Sequence, residues 1–144
     1  MSIKRLLGFV VLAAVVLFGL IQLVPRGRDH SNPAVRQEPD WDSPLTRQLA
    51  VEACFDCHSN ETIWPWYSHV APASWLIQRD VDEGRDALNF SQWGLRRQEA
   101  HEMAEVIREG EMPPIYYGWL HAGARLTAAE KESLISGLQA TVGR

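Results

Sequence analysis

The longest apolar run of the chain covers residues 6–24, where Gln22 is the only strongly polar side chain. At 1.5 Å per residue, a helix of this length spans ~28 Å, about the hydrocarbon thickness of a bilayer. Lys4 and Arg5 precede the run, and the V-P-R sequence after it lacks the small residues of a cleavage site. The pattern therefore predicts an uncleaved signal anchor, a transmembrane helix within residues 1–24.

Residues 25–43 carry few apolar side chains and contain three prolines. This composition is typical of a flexible or partly extended connection rather than of a core segment. We predict a Pro-containing tether over 25–43, in which His30 is solvated, followed by a folded domain over residues 44–144.

Helical periodicity dominates the predicted domain. Ser43 is placed to cap a helix that begins at Pro44, with Leu45, Leu49 and Ala53 on one apolar face. A second helix is predicted to begin near Pro72.

The second helix is predicted to end at Gly84. Two more helices are predicted after it. The third is predicted to end at Gly110, and the last to begin with a capping box formed by Thr127 and Glu130. Their apolar stripes are Ala100, Met103, Ala104, Ile107, Leu134, Ile135 and Leu138. Alternating strand patterns are absent from the sequence, which predicts an all-α fold class.

The external part of the chain is acidic. Residues 41–144 contain 9 Lys and Arg against 15 Asp and Glu, a formal charge of −6. A nucleic-acid partner is not expected, because such proteins carry a basic footprint. The charge suits a basic docking patch on a partner protein, and it equally suits an ordinary solvated surface.

Both cysteines of the chain lie in one motif, C-F-D-C-H, formed by Cys54, Cys57 and His58. This C-x-x-C-H pattern is typical of covalent c-type haem attachment. Two thiols three positions apart reach the two vinyl groups of a haem, and the adjacent imidazole reaches the iron. A zinc site would need a second ligand pair, and a thioredoxin-like pair would need a βαβ context. Neither is evident, although the thiol-redox alternative stays open.

Met112 is the candidate for the second axial ligand. It lies in G-E-M-P-P, where Pro113 favours an extended backbone that can hold a thioether toward an iron. Met103 lies on an apolar helical stripe and is interpreted as a core residue. The competing imidazoles are His30, His69, His101 and His121, of which His69 and His121 are the stronger candidates.

Large rings and polar groups surround the motif in sequence. Trp64, Trp66, Tyr67, Trp75 and Trp93 would pack around a haem and exclude water. We expect His58 to donate its other ring N–H to the carbonyl of Pro65 or Pro72. Candidate donors to the haem propionates are Arg79, Arg85, Asn89 and Ser91.

Over about residues 45–138 the chain resembles the haem-binding-domain family of exported bacterial c-type cytochromes. The motifs that carry the resemblance are C-F-D-C-H-S-N-E-T, W-P-W-Y-S, A-P-A-S-W, D-V-D-E-G-R, L-N-F-S-Q-W and G-E-M-P-P. The resemblance implies one covalent haem c on Cys54 and Cys57, with His58 as the proximal ligand. Met112-Pro113 is similar to the late Met-Pro pair of class I cytochromes, which implies a small cytochrome c-like domain.

The leading functional hypothesis is a membrane-anchored mono-haem cytochrome that transfers electrons to or from an unidentified redox partner and is not an enzyme. Bacterial haem c is attached outside the cytoplasmic membrane, which places the domain on the periplasmic side of the inner membrane. Lys4 and Arg5 agree with that orientation, whereas Arg26 and Arg28 weaken the charge bias. The alternatives are a haem enzyme or gas sensor with an open or labile sixth site, and a thiol oxidoreductase without haem.

Overall fold

The computed structural model describes residues 2–94 and 100–143, and for residues 100 and 101 it describes the backbone alone. Within these ranges the chain is all-helical, with seven α-helices and no strand. Numbered α1 to α7, they are Ile3–Ile21, Pro44–Ala53, Phe55–His58, Ala73–Ala87, Ala100–Arg108, Tyr117–Leu120 and Ala128–Val142. Short 3-10 turns cover Trp66–His69 and Ala122–Ala124. The predicted all-α class is confirmed.

The chain divides into two compact units. The first comprises Met1–Ser31 with Trp64–Asp80, and the second comprises Asn32–Ile63 with Val81–Arg144. Each is described separately below.

Helix α1 confirms the predicted amino-terminal helix and begins three residues ahead of the predicted apolar run. No residue along α1 is buried. The helix is long and apolar enough to cross a membrane, a property that signal sequences share.

The polar residue in the apolar run has a backbone partner in the first unit. The Gln22 side chain donates to the Ala71 carbonyl and accepts from the Ala71 N–H, both at 2.9 Å. His30 also has partners, because its ring stacks on Trp64 at 4.4 Å and its Nε2 lies 3.1 Å from the Ser68 carbonyl oxygen. The expectation that His30 is solvated is therefore wrong.

The core of the second unit is built by α2, α5 and α7 together with two aromatic residues, Phe55 and Phe90. Both rings are buried, and they stack with centroids 5.4 Å apart. The helical members of the core are Leu49, Ala50, Met103, Ala104, Ile107, Leu134, Ile135 and Leu138. The interpretation of Met103 as a core residue is confirmed.

Helix α2 begins as predicted, because the Ser43 hydroxyl accepts from the Thr46 N–H. Leu49 and Ala53 are buried as predicted, but Leu45 is not. Leu45 is 53 % exposed, whereas Thr46 is buried against α7. The contact depends on Gly137, since a Cβ there would lie 2.0 Å from Thr46 Oγ1.

The remaining helix boundaries follow local signals. The capping box of Thr127 and Glu130 opens α7, and Gly110 follows the end of α5 with a left-handed φ of 76°. Helix α4 begins directly after Pro72 as predicted, but it continues past Gly84 to Ala87. This extension matters for the site, because it carries further backbone carbonyls toward His58.

The second half of the predicted tether is hydrogen-bonded within the second unit. Asn32 donates to the Thr62 carbonyl, and the Gln37 backbone pairs with Gln92 in an isolated parallel bridge. Trp41 then packs on Phe90 with ring centroids 5.3 Å apart. Residues 32–43 are thus attached to this unit, and the domain boundaries proposed from composition stay a prediction.

Candidate functional site

The cysteine motif forms a single helical turn. Cys54 separates α2 from α3, and its carbonyl accepts from the Cys57 N–H at 3.1 Å and from the His58 N–H at 2.8 Å. These bonds place Cys54 one turn ahead of Cys57 and His58 within residues 54–58, which we call the attachment turn.

The ring of His58 is oriented by two backbone carbonyls near the end of α4. Its Nδ1 lies 2.9 Å from the Gly84 oxygen and 3.1 Å from the Leu88 oxygen. Carbonyls only accept, so Nδ1 carries the proton and Nε2 keeps its lone pair. The predicted acceptors, Pro65 and Pro72, are wrong because α4 extends far enough to supply the carbonyls at its carboxyl end.

Burial lowers the pKa of His58, and the bonds to Leu88 and Gly84 oppose this effect. A lowered pKa keeps the ring neutral at physiological pH. Neutral imidazole with a fixed Nδ1–H is the form that binds a metal through Nε2.

Gly84 permits the close approach of α4 to the attachment turn. A Cβ built on Gly84 would lie 2.5 Å from the carbonyl oxygen of Cys57, closer than two such atoms can approach. The sequence pattern predicts that Gly84 ends a helix. Its role in the structure is to let the last turn of α4 approach the backbone of Cys57 closely.

The loop after His58 is held by polar side chains that were predicted as propionate donors. Arg85 donates to the Ser59 carbonyl at 2.8 Å and to the Thr62 hydroxyl at 3.0 Å. Asn89 donates to Asn60 Oδ1 at 2.9 Å. A further predicted donor, Ser91, accepts from the Asn60 N–H at 2.9 Å. These contacts fix the loop that follows His58.

The Cys54 thiol is not tuned for thiol–disulfide chemistry. Burial is the main cause that raises the pKa of Cys54 to about 12, and the electrostatic effect of the neighbouring Cys57 adds to it. Reactive Cys-x-x-Cys pairs depend on the opposite shift, which supplies a thiolate near neutral pH. This disfavours the thiol oxidoreductase alternative.

The carboxylate of Asp56, inside the attachment turn, joins two other segments to it. Oδ1 accepts from the Ile63 N–H at 2.9 Å, and Oδ2 accepts from the Tyr117 hydroxyl at 2.6 Å. Tyr117 lies five residues after Met112, so the segment that contains Met112 is linked to the attachment turn through this bond. Sequence reasoning missed Tyr117 and Asp56, because neither lies in a recognisable ligand pattern.

The model of the haem-binding domain family matches residues 16–140 of the chain. The chain belongs to this family. No curated protein and no solved structure gives a significant match. Membership identifies the chain as a haem protein, in agreement with the family resemblance found in the sequence.

The donor set of this family member fits a haem. One neutral imidazole with a free Nε2 adjoins two thiols on the same turn, and the two segments joined by Asp56 carry exposed apolar side chains. Ile63 is 78 % exposed, Ile115 77 % and Met112 37 %. Haem sites are lined mostly by apolar groups, so such side chains suit the faces of a porphyrin.

The other histidines of the haem-binding domain have different surroundings. His121 stacks on Tyr117 with ring centroids 3.9 Å apart, and its Nδ1 lies 3.0 Å from the Tyr117 carbonyl oxygen. His69 is exposed in the first unit, where its ring meets the edge of His30 at 4.4 Å. The His101 side chain lies outside the described residues.

Proposed function

We propose that this chain is a membrane-anchored mono-haem c-type cytochrome that transfers electrons on the periplasmic side of the inner membrane. Cys54 and Cys57 hold haem c through thioether bonds, His58 is the proximal ligand and Met112 is the sixth ligand. The chain has no enzymatic activity in this proposal, and its partner is a redox protein.

The observation that carries the proposal is the orientation of His58. Two carbonyls fix the Nδ1 proton and leave Nε2 as the only ring nitrogen able to bind iron. The same turn carries both thiols next to that imidazole in sequence, and the C-x-x-C-H spacing suits covalent attachment through two vinyl groups. The raised pKa of Cys54 disfavours a thiol that cycles through a thiolate.

The assignment of Met112 rests on where its backbone is held. Its N–H donates to the Val106 carbonyl at 3.1 Å, and the following Tyr117 bonds to Asp56. Both ends of this loop are thus fixed, and the thioether is partly exposed. Haem supplies a one-electron iron couple, and ligation by His and Met raises its potential. An occupied sixth position gives oxygen or peroxide no site, which favours electron transfer over catalysis.

Membrane anchoring rests on α1, whose apolar side chains are exposed along its length. Lys4 and Arg5 favour a cytoplasmic amino terminus. Haem c attachment outside the cytoplasmic membrane agrees with that orientation. Protease added to intact spheroplasts is expected to remove the haem-stained domain, whereas a domain on the cytoplasmic side would be protected.

The proposal is tested on the full chain matured with a bacterial haem-attachment system. A haem-stained band on a denaturing gel and an intact mass raised by one haem are expected. A mass equal to the bare polypeptide would refute covalent attachment.

Visible spectra test the ligands. We expect a low-spin reduced spectrum and, in the oxidised protein, a sulfur–iron charge-transfer band in the red. Met112→Leu should abolish that band, whereas Met103→Leu, which removes a core thioether of similar volume, should keep it. A high-spin spectrum that changes with carbon monoxide would instead support the haem enzyme or gas sensor.

A further inference from the structure

The hydrogen bond between Tyr117 and Asp56 connects the two parts of the candidate site. Asp56 occupies a variable position of C-x-x-C-H, so it moves with the cysteines and His58. At 2.6 Å its bond with the Tyr117 hydroxyl is short, as expected when the acceptor is ionised. The carboxylate is held on its other side by the Ile63 N–H at 2.9 Å.

The connection from Tyr117 back to Met112 is compact. The Tyr117 N–H donates to the Pro114 carbonyl at 3.0 Å. At the other end of the loop, the Val106 carbonyl accepts from the N–H groups of Glu111 and Met112, at 3.0 and 3.1 Å. The loop is therefore fixed to α5 before Met112 and to the attachment turn after it.

We propose that Tyr117 and Asp56 are positioning residues that hold Met112 on the haem iron. The inference rests on the proposed function, because it takes Met112 as the sixth ligand. Neither side chain binds the iron in this account. Their bond determines how readily the Met112 loop moves away from the iron. It therefore also determines how strongly a foreign ligand competes with Met112 for the sixth position.

Tyr117→Phe removes this bond. The variant removes one hydroxyl oxygen and retains the ring that stacks on His121 at 3.9 Å. Tyr116→Phe is the matched control, since it removes a hydroxyl from the adjacent and more exposed tyrosine.

The measurement is a titration of the oxidised holoprotein with imidazole, which displaces a thioether from ferric iron. Loss of a hydrogen bond to a charged group corresponds to about a tenfold to hundredfold change in an equilibrium constant. Tyr117→Phe is therefore expected to bind imidazole at least about tenfold more tightly than the wild type, with a weaker sulfur–iron band. Tyr116→Phe is expected to stay within about twofold. General destabilisation would lower the melting temperature without this selective effect on ligand exchange.

Asp56→Asn supplies the second measurement, and it replaces Tyr117→Phe if that variant does not accumulate with haem. Asparagine keeps an acceptor oxygen but removes the charge, so the expected increase in imidazole affinity is smaller. The effect of the double variant on imidazole affinity should be smaller than the sum of the two single effects, because both substitutions remove the same bond.

The outcomes separate the two proposals. A wild-type protein with covalent haem but no sulfur–iron band overturns Met112 ligation, and the positioning role with it. A wild-type sulfur band with equal imidazole affinities for Tyr117→Phe, Tyr116→Phe and wild type overturns the positioning role alone.

Discussion

Replacing Gly84 by alanine is expected to push α4 away from the attachment turn. The added Cβ would lie 2.5 Å from the Cys57 oxygen and 3.0 Å from the Cys57 Cβ. These atoms belong to a backbone-fixed turn and not to the far end of a flexible side chain, so relief requires movement of the helix. That movement also lengthens the bond from His58 Nδ1 to the Gly84 carbonyl, which is 2.9 Å in the native chain.

The magnitude follows from three contributions. Overpacking of this kind costs about 1–3 kcal/mol, and weakening one hydrogen bond costs about 0.5–1.5 kcal/mol. Alanine recovers about 1 kcal/mol of helix propensity relative to glycine. The net destabilisation is about 2 kcal/mol, which corresponds to a fall in melting temperature of roughly 8–16 °C for a domain of this size.

The assay is thermal unfolding of the holoprotein followed by far-ultraviolet circular dichroism, together with the yield of haem-stained protein. Gly123→Ala is the matched control, because no atom lies within 4 Å of its added Cβ. The control should melt close to the wild type. A Gly84→Ala protein that melts within about 2 °C of the control, with full haem yield, would refute the close-approach argument.

Three further variants test the fold around the site. Glu38→Gln breaks a pair in which Arg47 donates to both carboxylate oxygens, at 2.7 and 2.8 Å. That bond lowers the pKa of Glu38 below 4.5, so its stabilisation is present above this pH and is lost as the pH falls through the folded-state pKa. We expect a loss of about 0.5–1 kcal/mol at pH 7 that disappears at low pH in chemical denaturation. Gly137→Ala should destabilise the domain by up to about 2 kcal/mol in the same assay, because overpacking of the new Cβ against Thr46 exceeds the roughly 1 kcal/mol of helix propensity that alanine recovers. Thr127→Ala should lower the melting temperature through loss of about 1 kcal/mol of capping at α7.

Exposed positions provide the controls for these three variants, and each control should leave stability within about 0.5 kcal/mol of the wild type. Glu132→Gln is the control for Glu38→Gln, Gly123→Ala is the control for Gly137→Ala, and Ser136→Ala is the control for Thr127→Ala. A pH-independent effect of Glu38→Gln would contradict the ion-pair account. Equal melting of Thr127→Ala and its control would contradict the capping account.

The parts of the fold that the sequence predicts are those with local causes. A helix cap involves residues only three positions apart, so Ser43 and Thr127 predict where α2 and α7 begin. The same is true of the cysteine motif, whose members lie within one turn. The face of α2 is less certain from sequence, because Leu45 and Thr46 are adjacent and only tertiary packing decides which is buried.

The contacts missed by sequence reasoning are distant in the chain and use groups that every residue carries. The carbonyls of Gly84 and Leu88 have no signature in residue type, so nothing in the sequence marks them as partners of His58. The polar segment over residues 32–43 shows the same limit. Its composition indicates that it cannot form a core alone, but it does not exclude hydrogen bonds to Thr62 and Ser91.

The two sides of the proposed iron site are supported by different chemistry. On the proximal side, His58 is fixed by main-chain carbonyls and its own carbonyl accepts from the Phe90 N–H at 2.8 Å. On the distal side, the link to the attachment turn runs through the side chains of Tyr117 and Asp56. Main-chain contacts survive most substitutions, whereas a side-chain bond is lost by a single change. Substitutions in this chain should therefore alter the sixth ligand, and with it the potential and ligand exchange, more readily than they remove the haem. Under the proposed function, that asymmetry lets a change at Tyr117 or Met112 alter the sixth ligand while His58 stays in place.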